Sequence, residues 1–191
     1  TSSGLAANDQ VVDTPTTNWG VMNVLEKSLS GPVLSNGNLK VSDSVGAAHT
    51  TFGSMMMPSG KWYWEITWVS GTANEIHLGI IDSNIIPGAA GKTSTTSYRI
   101  YLGPLHTGVL YNGGVSGGAY GGASFSAGDM VQVAYDADAE KIWFGRDGTF
   151  QGDPAAGSGE AYASIPAGQK VVQVQTYGTQ VVDCNFGQLG F

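Results

Sequence analysis

The sequence has a single cysteine, Cys184, which excludes an internal disulfide framework and a cysteine-based zinc site. Charge is scarce. Asp, Glu, Lys and Arg supply 12% of the chain, about half the usual ~25%. Eight basic residues stand against fifteen acidic ones, for a net charge of −7. The basic residues are scattered singly, Lys61, Lys92, Arg99 and Lys141 among them. No cluster exists to meet a phosphate backbone, so nucleic-acid binding is excluded. No apolar run reaches the roughly eighteen residues that a membrane-spanning helix requires, so no membrane insertion is expected. No Asn-x-Ser/Thr sequon and no signal-peptide pattern is visible. The chain opens Thr1-Ser2-Ser3 rather than on methionine and is expected to be part of a longer protein. So little charge also argues against helical bundles and coiled coils.

Glycine is what the sequence has in excess: 29 residues of 191, about twice the usual ~7%. High glycine with low charge points to short strands joined by many turns. Residues 1–48 are rich in Ser, Thr, Asn and Gly and only weakly periodic. They are expected to form a lead-in packed on a domain spanning 49–191. Asn18 is placed to cap a short helix running through Glu26, with Val21 and Leu25 on one face. Asn36-Gly37 marks a type I′ turn before Leu39-Lys40-Val41.

From residue 49 the period becomes two. Trp62, Trp64, Ile66 and Trp68 alternate with Tyr63, Glu65, Thr67 and Val69, which predicts a strand with its tryptophans in the core. Further strands are predicted over Ile76–Ile81, Tyr98–Leu102, Val109–Tyr111, Met130–Asp136, Lys141–Arg146, Lys170–Tyr177 and Val181–Phe186. Strands this short, punctuated by Gly, Pro, Asn and Asp, predict an all-β fold, a β-sandwich of two antiparallel sheets. Loops 83–97, 112–126 and 145–160 are where such a scaffold places recognition. The first contains Ile85, Ile86 and Pro87-Gly88, and the second is glycine-rich from Gly113 to Gly122.

Catalysis has little to rest on. His49, His77 and His106 lie far apart in sequence, and no Gly-x-Ser-x-Gly nucleophile elbow accompanies them. Asp136, Asp138 and Glu140 alternate as paired carboxylates or calcium ligands would, but they run into a hairpin turn, where Asp is favoured for backbone reasons. Met55-Met56-Met57 has neither His nor Cys beside it and reads as flexible packing. No catalytic residue, metal site or cofactor is expected. The aromatics are the better lead. Trp143 alternates with Ile142 and Phe144, so it points away from the core and is expected to be covered by the lead-in. Tyr98, Tyr101, Tyr120 and Tyr177 fall at strand ends or beside glycine, where a flat ring and a hydroxyl suit recognition. Together with Gly178, these are the candidate contact residues.

From Gly60-Lys61-Trp62-Tyr63-Trp64-Glu65-Ile66 onward the sequence resembles the SPRY (B30.2-type) domain family. Leu78-Gly79-Ile80, Ser97-Tyr98, Tyr120-Gly121, Gly128-Asp129-x-Val131, Tyr135-Asp136, Ile142-Trp143-Phe144, Asp147-Gly148 and Asn185-Phe186-Gly187 follow in the family's order. The resemblance covers residues 50–191 and implies a concanavalin-like jelly roll. Tyr177-Gly178 stands where peptide-binding members carry an aromatic-Gly pair, while the other positions of their peptide pocket do not match. Ala7-Asn8-Asp9-Gln10, Asp13-Thr14-Pro15-Thr16, Ser35-Asn36-Gly37-Asn38-Leu39 and Gly152-Asp153-Pro154 resemble the SPRY-like domains of bacteriophage proteins, often tail or fibre components. That resemblance implies a virion location, extracellular once assembled. It also implies a non-catalytic module that binds another protein, either a virion component or a host surface protein. A surface glycan, held lectin-fashion, and a polysaccharide-active enzyme using Asp136 and Glu140 are the alternatives.

Overall fold

The computed structural model describes residues 18–71, 75–85, 94–103, 108–121 and 125–191. Its strands in chain order are β1 (Met22–Lys27), β2 (Val33–Ser35), β3 (Lys40–Met57), β4 (Lys61–Gly71), β5 (Ile76–Asp82) and β6 (Tyr98–Leu102). Next come β7 (Val109–Asn112), β8 (Val115–Ala119), β9 (Met130–Asp136), β10 (Lys141–Arg146), β11 (Thr149–Phe150) and β12 (Lys170–Asn185). Every pairing is antiparallel, in the order β11-β10-β9-β4-β12-β5-β6-β7-β8, with β3 along the other side of β12 and with β1 and β2 on β3. Among the described residues no helix is long and apolar enough to cross a membrane.

Two long strands turn this one sheet into a sandwich. The start of β12, Lys170 to Thr176, pairs with β5, and its end, Gln180 to Asn185, pairs with β4. β3 follows β12 through both parts, from Met57 opposite Lys170 to Lys40 opposite Asp183. The half-sheets carried on β4 and β5 therefore face each other. Leu78, Ile80, Ile100, Val172 and Val174 of one half pack with Trp64, Ile66, Val131, Val133 and Phe144 of the other in a single core.

The period-2 reading of β4 holds for Trp64 and Trp68, which are buried, while Trp62 lies half-buried. The β9–β10 hairpin forms as expected, and Asp147 (φ 47°) and Gly148 (φ 89°) make the left-handed pair of the next tight turn. Three local readings are corrected. Asn18–Glu26 is not helical: Met22 is fully buried in β1, which pairs with β3, so tertiary pairing overrides a weak capping signal. The glycine-rich stretch after Asn112 is not all loop. Gly113 (φ 60°) and Gly114 (φ 79°) form a two-residue hairpin turn into β8. Lys170–Tyr177 and Val181–Phe186 belong to one bent strand, because Gly178 absorbs the bend without ending the pairing. β3 itself is continuous across residues 48 and 49, where the sequence texture changes.

Candidate functional site

The bend in β12 makes one end of the sandwich a corner. Tyr177 pairs with Ala48 and Gly178 with Val45, which leaves Gly46 and Ala47 of β3 as a bulge. Gly178 sits at φ 76°, where a Cβ is strained. Beneath the bulge lies a buried polar knot. Oδ2 of Asp43 accepts hydrogen bonds from His49 Nδ1 at 3.0 Å and from Thr176 Oγ1 at 2.7 Å. Asp43 Oδ1 accepts the Val45 N–H at 3.1 Å. A carboxylate only accepts, so the proton of this His49 bond is on Nδ1. Above the knot, Tyr177 is half-buried, and Ser44, Val45, Gly46, Ala47 and Thr179 are exposed around the bend.

Trp143 does point away from the core, as its alternation requires, yet it is only 1% exposed. Among the described residues, what covers it is the segment after β11 rather than the lead-in. The Trp143 indole donates to the Ser158 carbonyl at 2.9 Å, and Lys141 Nζ donates to the Gly157 carbonyl at 2.7 Å. Tyr120 donates to the Gly159 carbonyl at 2.7 Å. Tyr162, at the end of the segment, donates to the Arg99 carbonyl at 2.9 Å and meets the Tyr98 ring edge-on at 5.3 Å. Tyr98, Tyr120 and Trp143 are thus gathered under one strap that links the two half-sheets. Burial, followed by the nearby Glu160 charge, pushes the Tyr120 hydroxyl up to about 12.

Tyr101 and Tyr177 stand apart from that group. Tyr101 is 3% exposed and packs edge-on against His77, at 4.8 Å between ring centres. Burial first, then Glu75, raises its hydroxyl to about 12. On the same sheet face, Arg99 donates to Gln175 Oε1 at 2.8 Å, and burial lowers its guanidinium to about 10. Tyr101 and Trp143, two of the expected contact residues, therefore present almost no surface to a partner. Tyr98, Tyr120 and Tyr177 keep part of their surface, and Gly178 shapes the bend.

The remaining candidates resolve into local chemistry. Asp136 Oδ1 accepts the N–H groups of Asp138 and Ala139 at 3.1 and 2.9 Å, and Asp138 Oδ1 accepts the Gly60 N–H at 3.1 Å. Glu140 takes a left-handed turn conformation, φ 59°. These carboxylates tie two turns together rather than face one another across a cleft. Met57 is buried while Met55 and Met56 are exposed. Among the described residues no group of three His, Cys, Asp or Glu is placed to hold a metal. His106, Ile86, Pro87-Gly88, Gly122 and the Ala7–Thr16 motif lie outside the described residues. Sequence reasoning missed Asp43, whose role depends on β12 crossing β3, and Tyr162, which no period marks.

A family model described as the SPRY domain matches residues 61–187. The chain belongs to the SPRY family. Among solved structures, the SPRY domain of human HERC1 is similar, with a TM-score of 0.68 at 18% identity over 87% of this chain and 98% of that one. At that identity the likeness is one of fold. No curated protein matches the sequence. The match of the SPRY model begins at Lys61, the first residue of β4, and ends at Gly187, just past β12. It contains every expected contact residue, whereas Asp43 and His49, which brace the corner, precede it.

Proposed function

We propose that this SPRY domain is a non-catalytic recognition or assembly module of a bacteriophage particle that docks a virion component or a host surface protein at the corner around Tyr177 and Gly178. SPRY domains typically serve protein–protein interaction, which supports a protein partner. The particle setting is supported by the resemblance of the lead-in to phage proteins. The observation that carries the choice of surface is the braced bend. A half-buried tyrosine among small, uncharged, exposed residues sits on a hydrogen-bonded polar knot, so little conformational freedom is lost on docking.

The test has two arms. Immunoblotting of purified particles is expected to find the protein, and a particle or host protein identified there is expected to bind the isolated domain. Tyr177→Ala is expected to weaken that binding about tenfold or more at an unchanged melting temperature, the behaviour of an interface anchor. Absence from particles overturns the phage setting. Specific binding on a glycan array with no protein partner replaces the protein reading with the lectin-like one.

A further inference from the structure

Two features lie apart from the corner and the strap. The first is a cleft of about 210 Å³ at the seam where β3 and β4 belong to different half-sheets. Met55, Met57, Trp62, Trp64, Trp19 and Phe186 supply most of its wall, and Gln188 Nε2 donates to the Gly20 carbonyl in that wall at 3.1 Å. Apolar contact is non-directional and does not choose between guests. The second feature does choose. It is a set of backbone donors and acceptors along an open sheet edge.

A sheet edge is a template for another strand, and folded proteins usually cover, shorten or charge it. Elsewhere in this sheet that is done. β10 is covered: the Ile142 N–H donates to the Tyr162 carbonyl at 3.1 Å, and the Ala161 N–H donates to the Ile142 carbonyl at 2.9 Å. β2 has only 3 residues. β1 carries Glu26 and Lys27, and its pairing with β3 is interrupted between Met22 and Lys27. β8 differs. Val115-Ser116-Gly117-Gly118-Ala119 has no charge and no proline, and every one of its residues is exposed. β7 pairs with one side of it, and among the described residues nothing pairs with the other.

The hairpin fixes which groups face out. Gly113-Gly114 is a two-residue turn, so Asn112 and Val115 exchange hydrogen bonds across it. Ser116, the next residue, therefore turns its N–H and C=O to the open side. At the far end the Tyr120 N–H donates to the Gly108 carbonyl at 2.8 Å, so Ala119 turns outward as well. The register shift between them takes up one extra residue and keeps both on the same edge. The space over the middle of the strand is vacant. A Cβ on Gly118 would meet nothing within 4 Å, and one on Gly117 would touch only Leu110, at 3.5 Å. Outward backbone groups select an extended chain. Vacant glycines select one with bulky side chains, because aromatic and β-branched residues pack over glycine across a strand pair. β8 is itself a poor occupant, since two copies would set glycine against glycine and bury almost no side chain.

We propose that β8 receives an extended segment of a partner protein. The segment adds to the sheet as a further strand, pairs with Ser116 and Ala119, and lays β-branched or aromatic side chains over Gly117 and Gly118. This edge is separated from β12 by β5, β6 and β7, and the inference does not rest on docking at Tyr177.

The probe is the peptide Thr-Val-Thr-Tyr-Thr-Val-Thr, blocked at both ends and added to the full chain. By NMR it is expected to shift the Ser116 and Ala119 amide resonances and to slow their hydrogen exchange about tenfold or more. The same peptide methylated along its backbone nitrogens keeps its side chains and loses its donors. It is expected to bind about tenfold or more weakly. Ser116→Pro removes an outward donor at an edge position that tolerates proline. It is expected to weaken the unmethylated peptide about tenfold or more at an unchanged melting temperature. Equal binding of the two peptides, or no change at Ser116 and Ala119, overturns the proposal. So does an equal loss of binding in Tyr177→Ala, which would put the peptide at the corner. A dimer of the chain alone with the same amides protected overturns it in favour of β8 pairing with its own copy. Peptide binding that survives Tyr177→Ala supports the edge even where the corner binds nothing.

Discussion

The two ends of the sandwich are built on opposite principles. At the corner, polar groups are buried and paired: Asp43 satisfies His49, Thr176 and the Val45 backbone at once. At the seam, apolar groups surround open space, and the buried Trp64 indole N–H beside it goes unpaired. The first arrangement fixes a bend in two strands, because a buried donor or acceptor is expensive to strand and the chain cannot relax without stranding several. The second leaves the packing incomplete, and the atoms around a void forgo contacts. A rigid frame at one end and a gap at the other respond differently to mutation.

The contrast is sharpest at Asp43. Asp43→Ala strands two buried donors, on His49 and Thr176, and releases the Val45 N–H, and is expected to destabilise the domain by about 3 kcal/mol, measured by urea unfolding. A loss below about 1 kcal/mol would mean that the knot does not hold the corner. Gly178→Ala tests the bend itself. At φ 76° the added Cβ is expected to cost about 1–2 kcal/mol, with the melting temperature falling accordingly. Met55→Ala, at the mouth of the seam, is expected to change stability by no more than about 0.5 kcal/mol, since its side chain is partly exposed and borders space already empty. A loss at Met55 as large as that at Asp43 would erase the distinction between the ends.

Much of the scaffold is legible in the sequence. β4, β9 and β10 announce themselves through alternation, because a half-sheet with one face in the core must place apolar residues at every second position. Asp147-Gly148 specifies its turn for an equally local reason. β1, β3 and β8 are far less legible. β1 (Met-Asn-Val-Leu-Glu-Lys) does not alternate, the Ser, Gly and Ala of β3 and β8 carry little β-propensity, and all three are strands because neighbours offer them hydrogen-bonding edges. β12 shows the limit from the other side. Gly178 looks like a strand break, and it is a paired bend opposite the β3 bulge, within one continuous ladder.

The same division runs through the sites. Tyr177-Gly178 is visible because a family pattern marks the pair. The knot below it is invisible, since Asp43 and Thr176 are 133 residues apart and meet only when β12 runs back along β3. The seam cleft joins segments even more distant, with Gln188 reaching Gly20 across 168 residues.

By itself the sequence determined what is local: strand period, turn type, a nearly uncharged surface and the direction in which each side chain leaves its strand. Trp143 was bound to point outward by its neighbours alone. Only the tertiary structure decided what outward means there. The strap of residues 151–162 lies over Trp143 and leaves it 1% exposed, while at the seam no segment among the described residues fills the gap beside Trp64. Direction follows from the backbone at one residue, but exposure depends on where the rest of the chain comes to lie.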